Sequence, residues 1–326
     1  MLKHLTCLTV ACLLAAAGTA LAAAPQEKDV QGLYEGTYRA DGYDHKVEAR
    51  VVATGDATYK IFVREPTPDG VVKYTFDGKT EGDTVRFTGT ADGAKWTGAW
   101  APGKITGQSA NGETFAIRRV HRTPPTFGAK PPAGAIVLLG IGAKTFNEVE
   151  IGKDKNGNQD TWHPVEDGGF LVPKKGFRST RTFDGSFRLH VEFKCPLLPK
   201  GRGQGRGNSG CYMPNGNEIQ VLDSFGMTTY TGGGCGGIYK YKDPDTFDEF
   251  SLASLPPLEW QTYDVEYRVT MKDGKPTGKP VITVLHNGIK IHDKHTLQRD
   301  ARPGRFSFQD HGNPVHYRNI WVLPMK

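Results

Sequence analysis

Apolar residues recur at every second position along most of this chain, in short runs broken by turns rich in glycine and aspartate. That period sends alternate side chains to opposite faces of an extended strand and leaves no continuous stripe for a helix to bury. Residues 45–53 (HKVEARVVA) place Val47, Ala49 and Val51 on one face, and residues 58–65 (TYKIFVRE) do the same with Tyr59, Ile61 and Val63. VVKYTF, TVRFTG, KWTGAW, KITGQ and ETFAIRRV continue the pattern, joined by TGDA, PDG, DGKTEGD and ADG. These joining residues tolerate positive φ and make tight reversals. Seven or eight strands so short and so evenly spaced predict an antiparallel meander, a small β domain over residues 28–122. Its charged residues read as an ordinary solvent face, and nothing in it forms a catalytic constellation.

Glycine accounts for 41 of the 326 residues and proline for 21. Together they stay below the ~25–30% of a low-complexity chain, and no collagen period runs through them. Many turns and few long helices follow, and the length suits about two domains. RTPPTFGAKPPAGA (residues 122–135) holds two Pro-Pro pairs and reads as a short, stiff linker, taken as 123–132. Beyond it, residues 133–326 are again strand-rich. SFRLHVEFKC sends Phe187, Leu189, Val191 and Phe193 to one side and Arg188, His190, Glu192 and Lys194 to the other. TYDVEYRVT, PVITVLHNG, GIKIHD, GRFSFQDHG and PVHYRNIWVL follow suit, and Asn287-Gly288 is the strongest hairpin signal in the chain. The fold class expected is all-β: an antiparallel meander domain followed by a jelly-roll sandwich of two stacked antiparallel sheets. One such sheet can curve so that its outer face becomes a groove.

The N-terminus carries a basic start at Lys3, an apolar run, and Ala20-Leu21-Ala22. Residues 1–22 therefore read as a cleavable signal peptide, and the mature protein is expected in the periplasm or secreted. Removing them takes the formal charge from +6 to +5, because Lys3 leaves and no acid does. That balance, with no block of like charge, argues against a nucleic-acid partner. No later stretch is apolar enough for a membrane span. Cys195, Cys211 and Cys235 remain after the leader. They allow at most one internal disulfide, or read as small buried residues on neighbouring strands. Their spacing makes no zinc site.

The most informative stretch is NSGCYMPNGNEIQVLD, residues 208–223. With Ile219 and Val221 facing the core, Glu218 and Gln220 point outward. Asp223 would join that face only through a β-bulge. The resulting pattern partly matches the E-x-D-x-x-E of laminarinase-type glycosidases, with Gln220 in the middle place and the shorter Asp223 last. Tyr212 and Tyr239 would flank the carboxylates, where aromatic faces stack on sugar C–H surfaces. FQDHGNPVHYRNI gathers Gln309, Asp310, His311, Asn313, His316 and Arg318, with His311 a candidate general base. The loop at residues 154–160 lacks the glycine position and closing Glu of a calcium site. GRGQGRG (residues 201–207) reads as a mobile loop at the groove rim.

With NSGCYM, EIQVLDSFG, CGGIY, EWQTYDVEYR and FSFQDHGNPVHYRNIWVLP in this order, residues 133–326 resemble the 3-keto-disaccharide hydrolase family. Its members are also described as 3-keto-glucoside 1,2-lyases and 3-keto-2-hydroxy-glucal hydratases. The opening GAIVLLGIGAKTFNEVEIG departs from the family's usual LFNGKDLSGW. The resemblance implies a concanavalin/laminarinase-like jelly roll. It also implies cleavage of 3-keto-glycosides by 1,2-elimination and hydration, a net hydrolysis. A ketone at carbon 3 acidifies the hydrogen on carbon 2, so the site needs a base, an enolate stabiliser and a proton donor. Glu218, Asp223 and His311 are then the catalytic candidates. Asn208, Tyr212, Gln220, Tyr239, Gln309 and Arg318 are the substrate-binding ones. No cofactor is expected; a divalent metal could replace the enolate donors, though the sequence indicates none. The partners implied are an oligosaccharide or glycoside and an upstream sugar 3-oxidase. A laminarinase-like glycosidase on unoxidised sugars and a carbohydrate-binding protein without turnover are the alternatives.

Overall fold

The computed structural model describes residues 23–40, 42–227, 229–246 and 253–325; the leader-like residues 1–22 lie outside the described residues. The first eight strands are β1 (Gly32–Ala40), β2 (Tyr43–Gly55), β3 (Thr58–Thr67), β4 (Gly70–Glu81), β5 (Thr84–Ala91), β6 (Ala94–Ala101), β7 (Lys104–Ser109) and β8 (Thr114–Val120). Each pairs antiparallel with the next, and β8 returns to β1, so the meander closes into a barrel. Closure removes the free strand edges that an open meander would expose. Val47, Ala49, Val51, Tyr59 and Ile61 fill its interior, on the face their alternation assigns. Gly36 is required where β1 meets β8: a Cβ there would lie 2.1 Å from the Ala116 carbonyl oxygen.

The second unit contains β9 (Ile136–Leu139), β10 (Val149–Ile151), β11 (His163–Pro164), β12 (Phe170–Leu171), β13 (Phe177–Ser179), β14 (Phe187–Lys194), β15 (Ser209–Tyr212) and β16 (Glu218–Val221). It continues with β17 (Gln261–Lys272), β18 (Lys275–His286), β19 (Ile289–Thr296), β20 (Ser307–Phe308) and β21 (His316–Pro324). They form a sandwich. A five-stranded sheet runs β10-β13-β20-β15-β16, and the larger sheet runs β11-β12-β21-β14-β17-β18-β19 with β9 also on β21. Phe177 stacks on Phe308 at 4.6 Å and meets the edge of Tyr317 in the layer between them. Each such buried ring contributes roughly 1.5–3 kcal/mol. Cys195, Cys211 and Cys235 are buried free thiols, not a disulfide. Asn287 and Gly288 turn β18 into β19 with φ of 52° and 81°, the left-handed pair that a two-residue hairpin needs.

Long-range packing decides two features that local pattern does not. The polar face of β14 is not wholly solvated: residues 126–129 of the linker lie across its middle, while Arg188 stays exposed. The Gly128 N–H donates to Glu192 at 2.6 Å, Asn319 Nδ2 donates to the Ala129 carbonyl at 3.0 Å, and the Thr126 hydroxyl donates to Asp264 at 2.6 Å. His190 and Glu192 are consequently fully enclosed. Nor is 201–207 a free rim loop. Arg202 donates to the Thr54 carbonyl of the barrel at 2.7 Å, and Arg206 is buried. Leu33 and Val52 of the barrel pack with Phe225 of the sandwich, bordered by Phe62, Val120 and Met227. The two units thus share a small apolar interface, framed by the Lys200–Asp56 ion pair and the His121–Glu259 hydrogen bond.

Candidate active site

The outer face of the five-stranded sheet carries one continuous row of side chains. Strand register sets Glu150 of β10 beside Arg178 of β13, then Ser307 of β20, Tyr212 of β15 and Glu218 of β16. The alternate residues Ile151, Phe177, Phe308, Cys211 and Ile219 face the core, so the period-two pattern itself turns this row outward. A groove of about 1210 Å³ opens over it, lined by Glu150, Arg178, Ser307, Tyr212, Gln309 and Asp310 among others. That volume suits an extended ligand rather than a single small metabolite.

Glu218 ends the row and is the most perturbed acid on this face. It is 6% exposed. Burial pushes its carboxyl up to about 7, against a hydrogen bond from the Tyr212 hydroxyl that lowers it. Burial and the nearby Glu218 charge in turn raise Tyr212. Gln309 Nε2 donates to the Tyr212 hydroxyl at 3.3 Å, so three of the sequence candidates form one chain, Gln309 to Tyr212 to Glu218. A missing side chain makes room for it: a Cβ at Gly210 would lie 2.1 Å from Glu218 Oε1 and 3.1 Å from the Tyr212 ring. On the far side, the Tyr239 N–H donates to the Glu218 carbonyl at 3.0 Å. The Tyr239 hydroxyl pairs with that of Tyr230 at 2.8 Å. Tyr230 gave no local signal in the sequence; only the turn at 230–241 brings it to Tyr239.

The remaining candidates sit elsewhere. Asp223 does not reach the groove through a bulge, because β16 stops at Val221 in unbroken register with β15. The carboxylate is fully buried 2.8 Å from Arg206 Nε. Burial raises it and Arg206 opposes that rise. Gln220 lies on the same face of β16 as Glu218 but is covered there, and Asn208 is buried with it. Gln220 Nε2 donates to Gln204 at 2.8 Å and to Asn208 at 3.2 Å, in an amide cluster behind Glu218. His311 is exposed in the turn after β20. Arg318 belongs to β21 of the opposite sheet. Its guanidinium donates to Glu192 at 2.8 Å and lies against the rings of Phe127 and Trp260, at 4.8 and 4.3 Å. The loop at 154–160 is an aspartate turn in which Asp154 accepts from the N–H groups of Asn156 and Asn158. Among the described residues, no three His, Cys, Asp or Glu side chains gather as metal ligands.

The barrel holds a second, apolar cleft lined by Tyr38, Trp96 and Phe115, whose one acid, Asp92, accepts from the Tyr74 hydroxyl at 2.9 Å. It carries no free group for acid–base chemistry.

A family model described as a 3-keto-alpha-glucoside-1,2-lyase-like domain matches residues 143–323. A crystal structure of a "putative glycosyl hydrolase" from Parabacteroides distasonis ATCC 8503 is 32% identical. It covers 60% of this chain and 85% of its own, with a TM-score of 0.49. A xylan beta-1,4-xylosidase from Bacillus halodurans C-125 is 9% identical over 85% of this chain and 65% of its own, with a TM-score of 0.30. A search of curated proteins returns no match.

Proposed function

Because the chain belongs to the 3-keto-alpha-glucoside-1,2-lyase-like family, we propose that it is an exported enzyme that cleaves 3-keto-glycosides by elimination and hydration. The observation that carries this reading is Glu218, one buried carboxyl poised near neutrality behind Tyr212, which lines the groove, with no second carboxyl paired to it among the described residues. Of the two acids that line the groove, Glu150 lies four strands from Glu218, roughly 19 Å at ~4.8 Å per strand. Asp310 follows β20, two strands or roughly 10 Å from β16 at ~4.8 Å per strand, and both its oxygens accept from main-chain N–H groups, those of Lys175 and Gly312. Direct glycoside hydrolysis wants two carboxyls about 5–9.5 Å apart. Elimination from a keto sugar does not, because the ketone has already activated the carbon 2 hydrogen.

In this scheme Glu218 takes the carbon 2 proton, the C1–O bond to the aglycone breaks, and a C1–C2 double bond forms. The proton held on Glu218 passes to the departing oxygen. Water then adds across the double bond, restoring the keto sugar. Tyr212 holds the carboxylate in place, and Gln309 holds Tyr212. The Tyr239–Tyr230 hydroxyl pair is the donor assigned to the enolate oxygen.

The test is to incubate the protein with a 3-keto-disaccharide and its unoxidised parent in deuterated water. Cleavage of the keto sugar alone, with deuterium at carbon 2, is expected. Cleavage of the parent would replace this reading with a glycosidase, and binding without product would replace it with a carbohydrate-binding module. Export is tested by sequencing the N-terminus of the protein recovered outside the cytoplasm, expected at Ala23.

A further inference from the structure

The groove collects charge that no single stretch of the sequence displays. Lys153, Lys175, Arg178, Arg302 and Arg305 line it, against two acids, Glu150 and Asp310. Both acids are already engaged. Glu150 accepts from Arg178 and from Arg305, each at 2.7 Å. Asp310 accepts from the main-chain N–H groups of Lys175 and Gly312, at 3.0 and 2.8 Å. Among the described residues, Lys153, Lys175, Arg299 and Arg302 make no direct ion pair with a carboxylate, although Lys175 is near enough to Asp154 to help hold that acid low. Two of them converge: a Cβ at Gly216 would lie 2.8 Å from Arg299 Nη1 and 3.1 Å from Arg302 Nη2, so these guanidinium groups stand within about 6 Å of each other. Gly216 borders the groove beside Tyr212. Like charges so close repel, and a shared anion relieves that repulsion. Guanidinium groups offer only donors, in a fork that matches a carboxylate or sulfate and not the mixed donors and acceptors of a neutral sugar.

We propose that the groove takes an acidic saccharide, with a carboxylate or sulfate on a unit next to the one that faces Glu218. Arg302 and Arg299 grip the acidic group, and Lys175 supports it from the opposite wall. The proposal rests on the reading above only for which sugar faces Glu218. It narrows the substrate class from glycosides at large to acidic ones.

The test is calorimetric titration of the full chain with unoxidised disaccharides: one bearing glucuronate, one bearing sulfate, and their neutral parent. The acidic sugars are expected to bind at least about tenfold tighter at low salt, with the advantage shrinking as salt rises. Whichever acidic sugar binds tighter identifies the group. Arg302→Gln and Lys175→Gln should each remove most of that advantage. Lys95→Gln, which takes the same charge from the exposed surface of the barrel, should leave it intact. Equal affinity for neutral and acidic sugars overturns the proposal, as does failure of the acidic ones to bind at millimolar concentration. Equal loss in Lys95→Gln, or equal binding of a short single-stranded nucleic acid, would reduce the groove to a non-selective cationic surface. The assay needs no turnover, so a failure of the deuterium experiment and a failure here are separate results.

Discussion

Glu218 and Gly210 form a pair in which the glycine's missing side chain sets where the carboxyl rests. Gly210→Ala should therefore keep the fold and lower turnover by about 100-fold or more, the cost of displacing a reacting group by around 1 Å. Unchanged thermal unfolding beside the lost rate is the result to look for. The rate should also rise with pH through about 7, because the base must lose its proton to act. Tyr212→Phe removes a hydrogen bond that favours the charged form, so that limb should shift upward. Stability runs the other way. A carboxyl held at about 7 in the folded state binds its proton more tightly than the unfolded chain does. The native state therefore gains stability as pH falls from about 7 toward 4.5. Glu218→Gln should abolish turnover and, at pH 8, raise unfolding free energy by up to about 3 kcal/mol, at ~1.4 kcal/mol per pH unit. These residues were legible in the sequence because Tyr212 and Glu218 lie in one local hairpin. Spacing cannot tell where a strand stops, so it puts Asp223 on the groove face, whereas β16 stops at Val221.

The linker shows the same limit one level up. Alternation assigns His190 and Glu192 correctly to the face of β14 opposite the core, but nothing local says that residues 126–129 will cover that face. Once covered, the charges must be paired. Burial works against Glu192, yet hydrogen bonds from His190, Asn319, Arg318 and the Gly128 N–H together hold it at about 2. Burial also works against protonated His190, and the bonds to Asp264 and Glu192 outweigh it and raise that group. Glu192's contribution is present above pH 4.5 and is lost as pH falls toward 2. His190's is present below pH 6.5 and is lost as pH climbs through its raised value. Amide exchange at residues 126–130 should thus quicken above neutrality while the sandwich core stays protected. Glu192→Gln leaves Arg318 buried without a counter-charge and should cost about 3–5 kcal/mol in denaturant unfolding. The cationic groove is not visible in the sequence for a related reason: Lys153, Lys175, Arg178, Arg299, Arg302 and Arg305 come from three separate stretches of chain. Only sheet order and packing bring them together.

Across the whole molecule, coupling between barrel and sandwich rests on few side chains. Phe225 is completely buried between them, with the Arg50 guanidinium 5.2 Å from its ring centre. Phe225→Ala should cost roughly 3–5 kcal/mol and split a single calorimetric transition into two. A single unchanged transition would mean that the linker, docked on the larger sheet, does the coupling instead. The hydrogen-bond pattern also imposes an order in time. Seven of the barrel's eight pairings join consecutive strands. In the sandwich, β9 and β14 both pair with β21, the last strand of the chain. Sequence-local pairings form early and distant ones late. A chain emerging end-first from a ribosome or a narrow conduit would hold a finished barrel while its sandwich still waited for its final residues. Nicking or stalling late in the chain would then release a folded barrel trailing an aggregation-prone half-sandwich.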